Sequence, residues 1–230
     1  MSIDYKHRLT KYEKKIINLE ESLKKKKGNN ELYFTELKKI YPSCMHDSGC
    51  IKSYEKDVKG NKVITTYGEM NYEGLEKLYG ELKKDFTFDS FIDIGSGRGK
   101  LVLYMAGFPE IAKSYGVEIV DERASYADEM KSKLEKYDFI NKVEFFNKSM
   151  FEINYKDLFK SKKTPLIWIS NLCFDSEITA KLIDQLVEQM PKGTIISCSK
   201  IMNQDKLTHI KDMKIPMSWS SDSNVHIYQI

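Results

Sequence analysis

The chain has 230 residues, enough for one α/β domain with a full core and a small extension. Hydrophobic residues make up 41% and charged residues 31%, the composition of a soluble globular protein, and no apolar run approaches the ~18 residues of a membrane span, so no membrane partner is expected. A formal net charge of +3 is too small for bulk charge to argue for a nucleic-acid partner, although lysines crowd the first 60 residues.

The opening stretch MSIDYKHRLTKYEKK has no apolar h-region of a secretory signal, which makes an intracellular setting the expectation, nucleus or cytoplasm left open. Cys44, Cys50, Cys173 and Cys198 form no dense framework and are expected as free thiols. Leu9, Tyr12, Ile16, Leu19 and Leu23 step by three and four, one apolar stripe on a helix. The stripe is short for a coiled coil, so packing on the parent domain is expected ahead of self-association. Lys24 to Lys27, then Gly28-Asn29-Asn30, end that helix. The four lysines are either a solvated face or an electrostatic grip on nucleic acid. A second short helix is expected over 31–40, stopping before Pro42.

From Tyr41 to Asn61 the chain reads as polar and irregular. Cys44, His46 and Cys50 lie close enough to hold zinc with a fourth ligand from elsewhere, but no second Cys/His pair stands at finger spacing. A plain loop is the expectation, and no metal ligands are assigned.

From Val63 onward strands and helices alternate. Asn71 can cap a helix with Leu75, Leu78, Tyr79 and Leu82 on one face. Strands are expected at 86–94, 114–117, 142–146, 165–170 and 194–199, with helices at 100–108, from an Asp121 cap, and at 176–190. The tail suits two antiparallel strands, 213–219 and 224–230, joined by a turn at Ser220–Ser223. The fold class is therefore α/β: a Rossmann-like parallel sheet flanked by helices and closed by a C-terminal antiparallel hairpin, the way class I methyltransferases end. The expected domain division is a helical, lysine-rich extension at 1–62 and an α/β domain at 63–230, which on this pattern of closure is expected to be a methyltransferase domain.

The central motif is Phe91-Ile-Asp93-Ile-Gly95-Ser96-Gly97-Arg-Gly99-Lys100. A buried strand runs into alternate glycines and then a helix, which lets backbone approach a ligand closely. A dinucleotide fingerprint has different spacing and places pyrophosphate on the helix N-terminus. A carboxylate at Asp93 would repel a pyrophosphate but attract a cationic amino group. S-adenosylmethionine carries such a group, so it is the expected cofactor; a glycine turn that serves packing alone is the bland alternative. Tyr115-Gly-Val-Glu118 ends the next strand with a carboxylate about 20 residues on, the position of a ribose-binding acid, unless Glu118 is a solvated strand-end residue. Trp168-Ile-Ser-Asn171-Leu-Cys-Phe174 ends the fourth strand, where open α/β sheets bind ligands. The Asn171 amide can hold an amine nucleophile through its carbonyl oxygen, and Phe174 can wall an apolar channel. The same turn also serves as a helix entry capped by Asp175 or Ser176.

With these motifs in order, the chain resembles the non-SET histone lysine methyltransferases of the disruptor-of-telomeric-silencing type, from about Thr66 to Ile230. Tyr67-Gly-Glu69 resembles the loop over the methionine end of the cofactor, and Asn171-Leu-Cys-Phe174 the active-site turn. Ser218-Trp219 resembles the family's Ser-Trp pair near the C-terminus. Lys100 stands where the family usually has Gln, Leu172 replaces a phenylalanine, and Asn147-Lys-Ser149-Met150 stands where an acidic residue and an aromatic hold adenine.

The resemblance implies a protein lysine N-methyltransferase, with histone or nucleosome as a possible substrate. Tyr67, Asn171 and Phe174 are the implied channel residues. Tyr67, Glu69, Met70, Asp93, Gly95, Ser96, Gly97, Gly99, Lys100, Glu118, Ile119, Ser149, Met150, Asn171 and Trp219 are the implied cofactor contacts. A methyltransferase acting on another protein, RNA or a small molecule, and a non-catalytic docking module, are the alternatives.

Overall fold

The computed structural model describes residues 15, 16, 18, 19, 29–41, 54–56, 62–64, 68–159, 164–202 and 205–230. Residues 29–40 are helical (α1). A small antiparallel pair follows, β1 (Tyr54–Lys56) and β2 (Lys62–Ile64), with Glu55 opposite Val63. β1 falls in the stretch Tyr41–Asn61 expected to be irregular, a correction. Three-residue strands with lysine and glutamate give too little alternation for a periodicity argument to detect.

The main body runs α2 (Tyr72–Asp85), β3 (Phe88–Ile94), α3 (Lys100–Ala106), β4 (Lys113–Glu118), α4 (Asp121–Lys133), β5 (Val143–Asn147) and α5 (Tyr155–Leu158). It continues through β6 (Thr164–Ile169), α6 (Ser176–Gln189), β7 (Ile195–Cys198), β8 (Thr208–Met217) and β9 (Ser220–Gln229). The seven-stranded sheet has the order β5-β4-β3-β6-β7-β9-β8. β3 to β7 are parallel, and β9 enters antiparallel between β7 and the edge strand β8. The chain winds outward from β3 through β4 to β5, then returns to β6 on the other side of β3. That reversal puts the topological switch point at the carboxyl ends of β3 and β6, where doubly wound sheets take ligands.

β3, β4, β6 and β7 read as near-continuous apolar runs because helices cover both faces of the sheet. One face carries α1, α2 and α3, with Phe91, Leu103 and Tyr33 in a single cluster. The other carries α6 and the segment around Tyr155, packed on Ile92, Ile94, Ile167 and Leu186. Helix starts follow local chemistry. The Asn71 side chain accepts from Gly74 N at 2.7 Å, as expected. Asp175 likewise accepts from Ile178 N at 2.7 Å. Asp121 does not cap α4: Val120 occupies the cap position, and Asp121 lies in the first turn and accepts from Asn147 Nδ2.

One further expectation is corrected. The C-terminal hairpin turns at Ser218-Trp219, with Met217 opposite Ser220, so Ser220–Ser223 is strand. In the N-terminal stripe, Ile16 and Leu19 are each about half exposed. Leu9, Tyr12, Leu23 and the lysines Lys24–Lys27 lie outside the described residues. The helix that does dock is α1: Tyr33, Leu37 and Tyr41 are fully buried, and the Tyr33 hydroxyl donates to Leu103 O.

Candidate active site

The glycine loop takes left-handed backbone at Gly95, Gly97 and Gly99, with φ of 82°, 53° and 81°. L side chains rarely adopt this conformation, which is why the loop needs glycine at these three positions. Gly95 N and Ser96 N both donate to Val117 O, so the loop is laid across the end of β4. Glu118 fastens it from the same strand: Oε2 accepts from Gly97 N at 2.7 Å and Oε1 from Val120 N at 2.9 Å. Two acceptors leave roughly two of its four lone-pair positions for a ligand's hydroxyls. Glu118 is therefore buried and structured, not a solvated strand-end residue.

Asp93 lies beneath the loop, fully buried, and its Oδ1 has no hydrogen-bond partner among the described residues. Burial pushes its carboxyl well above the ordinary range, and the Glu118 and Glu69 carboxylates push the same way against Lys100. The Ser96 Oγ, also buried, is likewise without a partner among the described residues. Native structures satisfy nearly all buried polar atoms. These two polar atoms, open among the described residues, lie under the glycine loop, and a cation with N–H donors suits the carboxylate.

Lys100 opens α3 and is itself buried, its Nζ paired with Glu69 Oε2. This pair explains the lysine that replaces the family's usual Gln, because it holds the 68–70 segment over the loop. The C-terminal hairpin holds the same segment from the other side. Glu69 N donates to Ser218 Oγ at 3.0 Å, Ser218 N donates to Glu69 O at 2.8 Å, and Met70 bridges Met217. Trp219 lies against Gly68, where a Cβ would come within 2.6 Å of its ring. The structure thus places Trp219 as the cover of Gly68. Tyr67 lies outside the described residues.

At the end of β6, the Asn171 amide is buried and pairs doubly with the backbone of Lys200. Its Oδ1 accepts from Lys200 N at 2.8 Å and its Nδ2 donates to Lys200 O at 3.2 Å. That pairing ties the turn after β6 to the turn after β7, a joint that sequence reasoning missed because Lys200 contributes only backbone. Phe174 packs against the second core cluster, its carbonyl accepting from Lys200 Nζ at 3.3 Å. Leu172 is exposed.

Ile119 is half-buried just past Glu118. Beyond β5, Ser149 forms a capping box, its Oγ accepting from Phe151 N at 3.4 Å while Glu152 accepts from Ser149 N at 3.0 Å. Met150 packs beside this turn against the second core cluster. Asp93, Glu118, the glycines, Lys100 and Glu69 are thus gathered at one end of β3 and β4, while Ser149–Met150 and Asn171–Phe174 follow the neighbouring strands β5 and β6. Cys44, His46 and Cys50 lie outside the described residues.

This sheet order, with a glycine loop after its central strand and an antiparallel strand inserted beside the edge, defines the Rossmann-like class I methyltransferase fold. An RNA methyltransferase from Salinibacter ruber, solved with S-adenosyl-L-homocysteine, shares that fold at a TM-score of 0.51 and 20% identity, over 68% of this chain and 89% of that one. The family model for the histone methylation protein DOT1 matches residues 43–229, and the chain belongs to that family. A Caenorhabditis elegans protein described as an H3 lysine-79 specific histone-lysine N-methyltransferase is 26% identical over 177 residues, 68% of this chain and 18% of that protein. A Drosophila melanogaster protein of the same description is 39% identical over 64 residues, 28% of this chain and 3% of its own length. The chain thus spans less than a fifth of either relative.

Proposed function

We propose that this chain transfers a methyl group from S-adenosylmethionine to a lysine side chain of a histone, in a domain running from about residue 63 to Ile230. The observation that carries the reading is the buried, unpartnered Asp93 carboxylate under a left-handed glycine loop. A cationic α-amino group satisfies it in charge and in hydrogen bonding, and Glu118 keeps lone pairs for ribose hydroxyls. Ser149 and Met150 stand at the adenine end. The bound cofactor would supply an electrophilic methyl group on a sulfonium centre.

The chain's own residues position and desolvate. Glu69 and Met70, clamped between Lys100 and the hairpin, cover the methionine end, the role that the family resemblance also gives Tyr67. Tyr67, Asn171 and Phe174 shape the approach for the amine. An ammonium entering apolar surroundings is disfavoured relative to the free amine, so the nucleophile is neutral when it arrives. Transfer is an in-line displacement, in which orientation supplies most of the acceleration. The histone substrate rests on the family and its relatives, and it implies a nuclear setting. The lysines Lys24–Lys27 of the extension are the proposed contact with nucleosomal nucleic acid.

The test is labelled cofactor offered to nucleosomes, free histones and RNA. Label on a histone lysine is the expected result. Label on RNA, or tight cofactor binding with no transfer to any protein, overturns the substrate reading.

A further inference from the structure

Far from the glycine loop, at the β8–β9 edge, His209, Asp212 and His226 bring one ligand atom each within 4.8 Å of the others. Asp212 and His226 are direct cross-strand partners, and His209 faces Tyr228, two residues along β9 from His226. Two residues three apart on a regular strand would point to opposite faces of the sheet. Here the register shifts between His209 and Lys211, and that bulge turns His209 onto the same face as Asp212.

Both histidines already converge on a single oxygen: Asp212 Oδ1 lies 2.8 Å from His209 Nε2 and 2.7 Å from His226 Nδ1. Ligand atoms about 2.0–2.2 Å from a tetrahedral zinc stand roughly 3.3 Å apart, so opening each Asp212–histidine contact by about half an ångström and drawing the two ring nitrogens to the same spacing would complete three sides of such a site. His226 is buried, while His209 and Asp212 reach solvent. The cluster borders a cavity of about 620 Å³, walled by Met202, Leu207 and Tyr228 and carrying a second carboxylate, Asp205. Tyr228 fixes one wall by accepting from Met202 N at 3.1 Å and the His209 ring by an edge contact at 5.2 Å.

We propose that His209, Asp212 and His226 bind one divalent transition-metal ion of the zinc class, with a coordination position open to this cavity. Two imidazoles and one carboxylate select such an ion over calcium or magnesium, which favour all-oxygen sets. On binding, the two facing ring nitrogens present lone pairs and the ring protons move to His209 Nδ1 and His226 Nε2. The ion would pin the bulged edge strand to β9, so it should raise the thermal midpoint of the full chain.

The experiment is calorimetry with zinc chloride on the full chain, with cobalt(II) absorption as a report of coordination. His209→Ala and Asp212→Asn alter exposed side chains. Cys44→Ser/Cys50→Ser removes the two cysteines of the 44–50 stretch, leaving Cys173 and the buried Cys198 as the remaining thiols. One equivalent should bind in the wild type and in the cysteine double variant, with tetrahedral cobalt bands in both. Affinity should fall at least about tenfold in His209→Ala and Asp212→Asn, since losing even an outer-shell partner costs about 10–100-fold. Absence of saturable binding, or binding lost with the cysteines and kept in the histidine and aspartate variants, overturns the proposal.

Discussion

Asp93 and Asn171 are both polar, both buried, and both at carboxyl ends of neighbouring strands, yet they stand in opposite states. Asp93 leaves an oxygen without a partner among the described residues and sits well above its ordinary titration range. Asn171 has its carbonyl and its amide each paired with the Lys200 backbone. One is an interaction left open among the described residues, the other a finished joint. On the proposed function, cofactor recognition rests on unbalanced electrostatics at Asp93 and acceptor positioning on satisfied hydrogen bonds at Asn171.

The contrast can be broken most forcefully at Asn171. Asn171→Ala removes the joint and should lower single-turnover methyl transfer by about 100-fold, the loss expected from ~1 Å of misplacement. It should also destabilise the fold by roughly 1–3 kcal/mol by leaving Lys200 groups unpaired. Cofactor affinity by calorimetry should change little; turnover falling only as far as cofactor affinity would reduce Asn171 to a helix-entry residue.

Asp93→Asn should do the reverse. Loss of a charge-assisted hydrogen bond costs roughly 1.5–3 kcal/mol, about tenfold or more in cofactor affinity. The ligand-free chain should melt higher, because a buried unpaired carboxylate opposes folding. The folded carboxyl titrates above the unfolded one, so its penalty is absent at low pH and grows as pH rises toward the folded value. A variant with a lower melting temperature and unchanged affinity would reverse the assignment.

The third effect is smaller and sharpens the second. A cationic ligand favours the ionised Asp93, so binding releases a proton. Affinity should rise with pH through the raised Asp93 range, by at most about tenfold per pH unit, and then level off. Calorimetric enthalpy should vary with buffer ionisation enthalpy in the wild type and not in Asp93→Asn.

The smallest effect lies outside both residues. Neutralising Lys24–Lys27 should leave cofactor affinity unchanged. The slope of nucleosome binding against salt should flatten by up to roughly 3–4, about 0.9 for each phosphate no longer neutralised. An unchanged slope would return these lysines to a solvated face.

Much of this was readable in the sequence. β3, β4, β6 and β7 are buried on both faces, so apolar runs between turn formers announced them. That Asp93, the glycines and Glu118 meet at one end of β3 and β4 was legible because a strand, a glycine turn and a helix at fixed spacing put them there. What stayed hidden depended on contacts distant along the chain. Ser220–Ser223 has the composition of a turn, yet the turn falls at Ser218-Trp219 because Trp219 packs on Gly68 and Ser218 bonds Glu69. β8 begins five residues before its expected start, at Thr208 in place of Met213, because an edge strand tolerates His209, Lys211 and Asp212. The Lys100–Glu69 pair and the Asn171–Lys200 joint link segments that no periodicity connects.

Glu69 and Ser218 are 149 residues apart and bonded in both directions. Closing the 68–70 segment against the β8–β9 hairpin is therefore a high-contact-order step, expected after local helices and parallel pairings have formed, and during synthesis it has to wait until that hairpin has emerged.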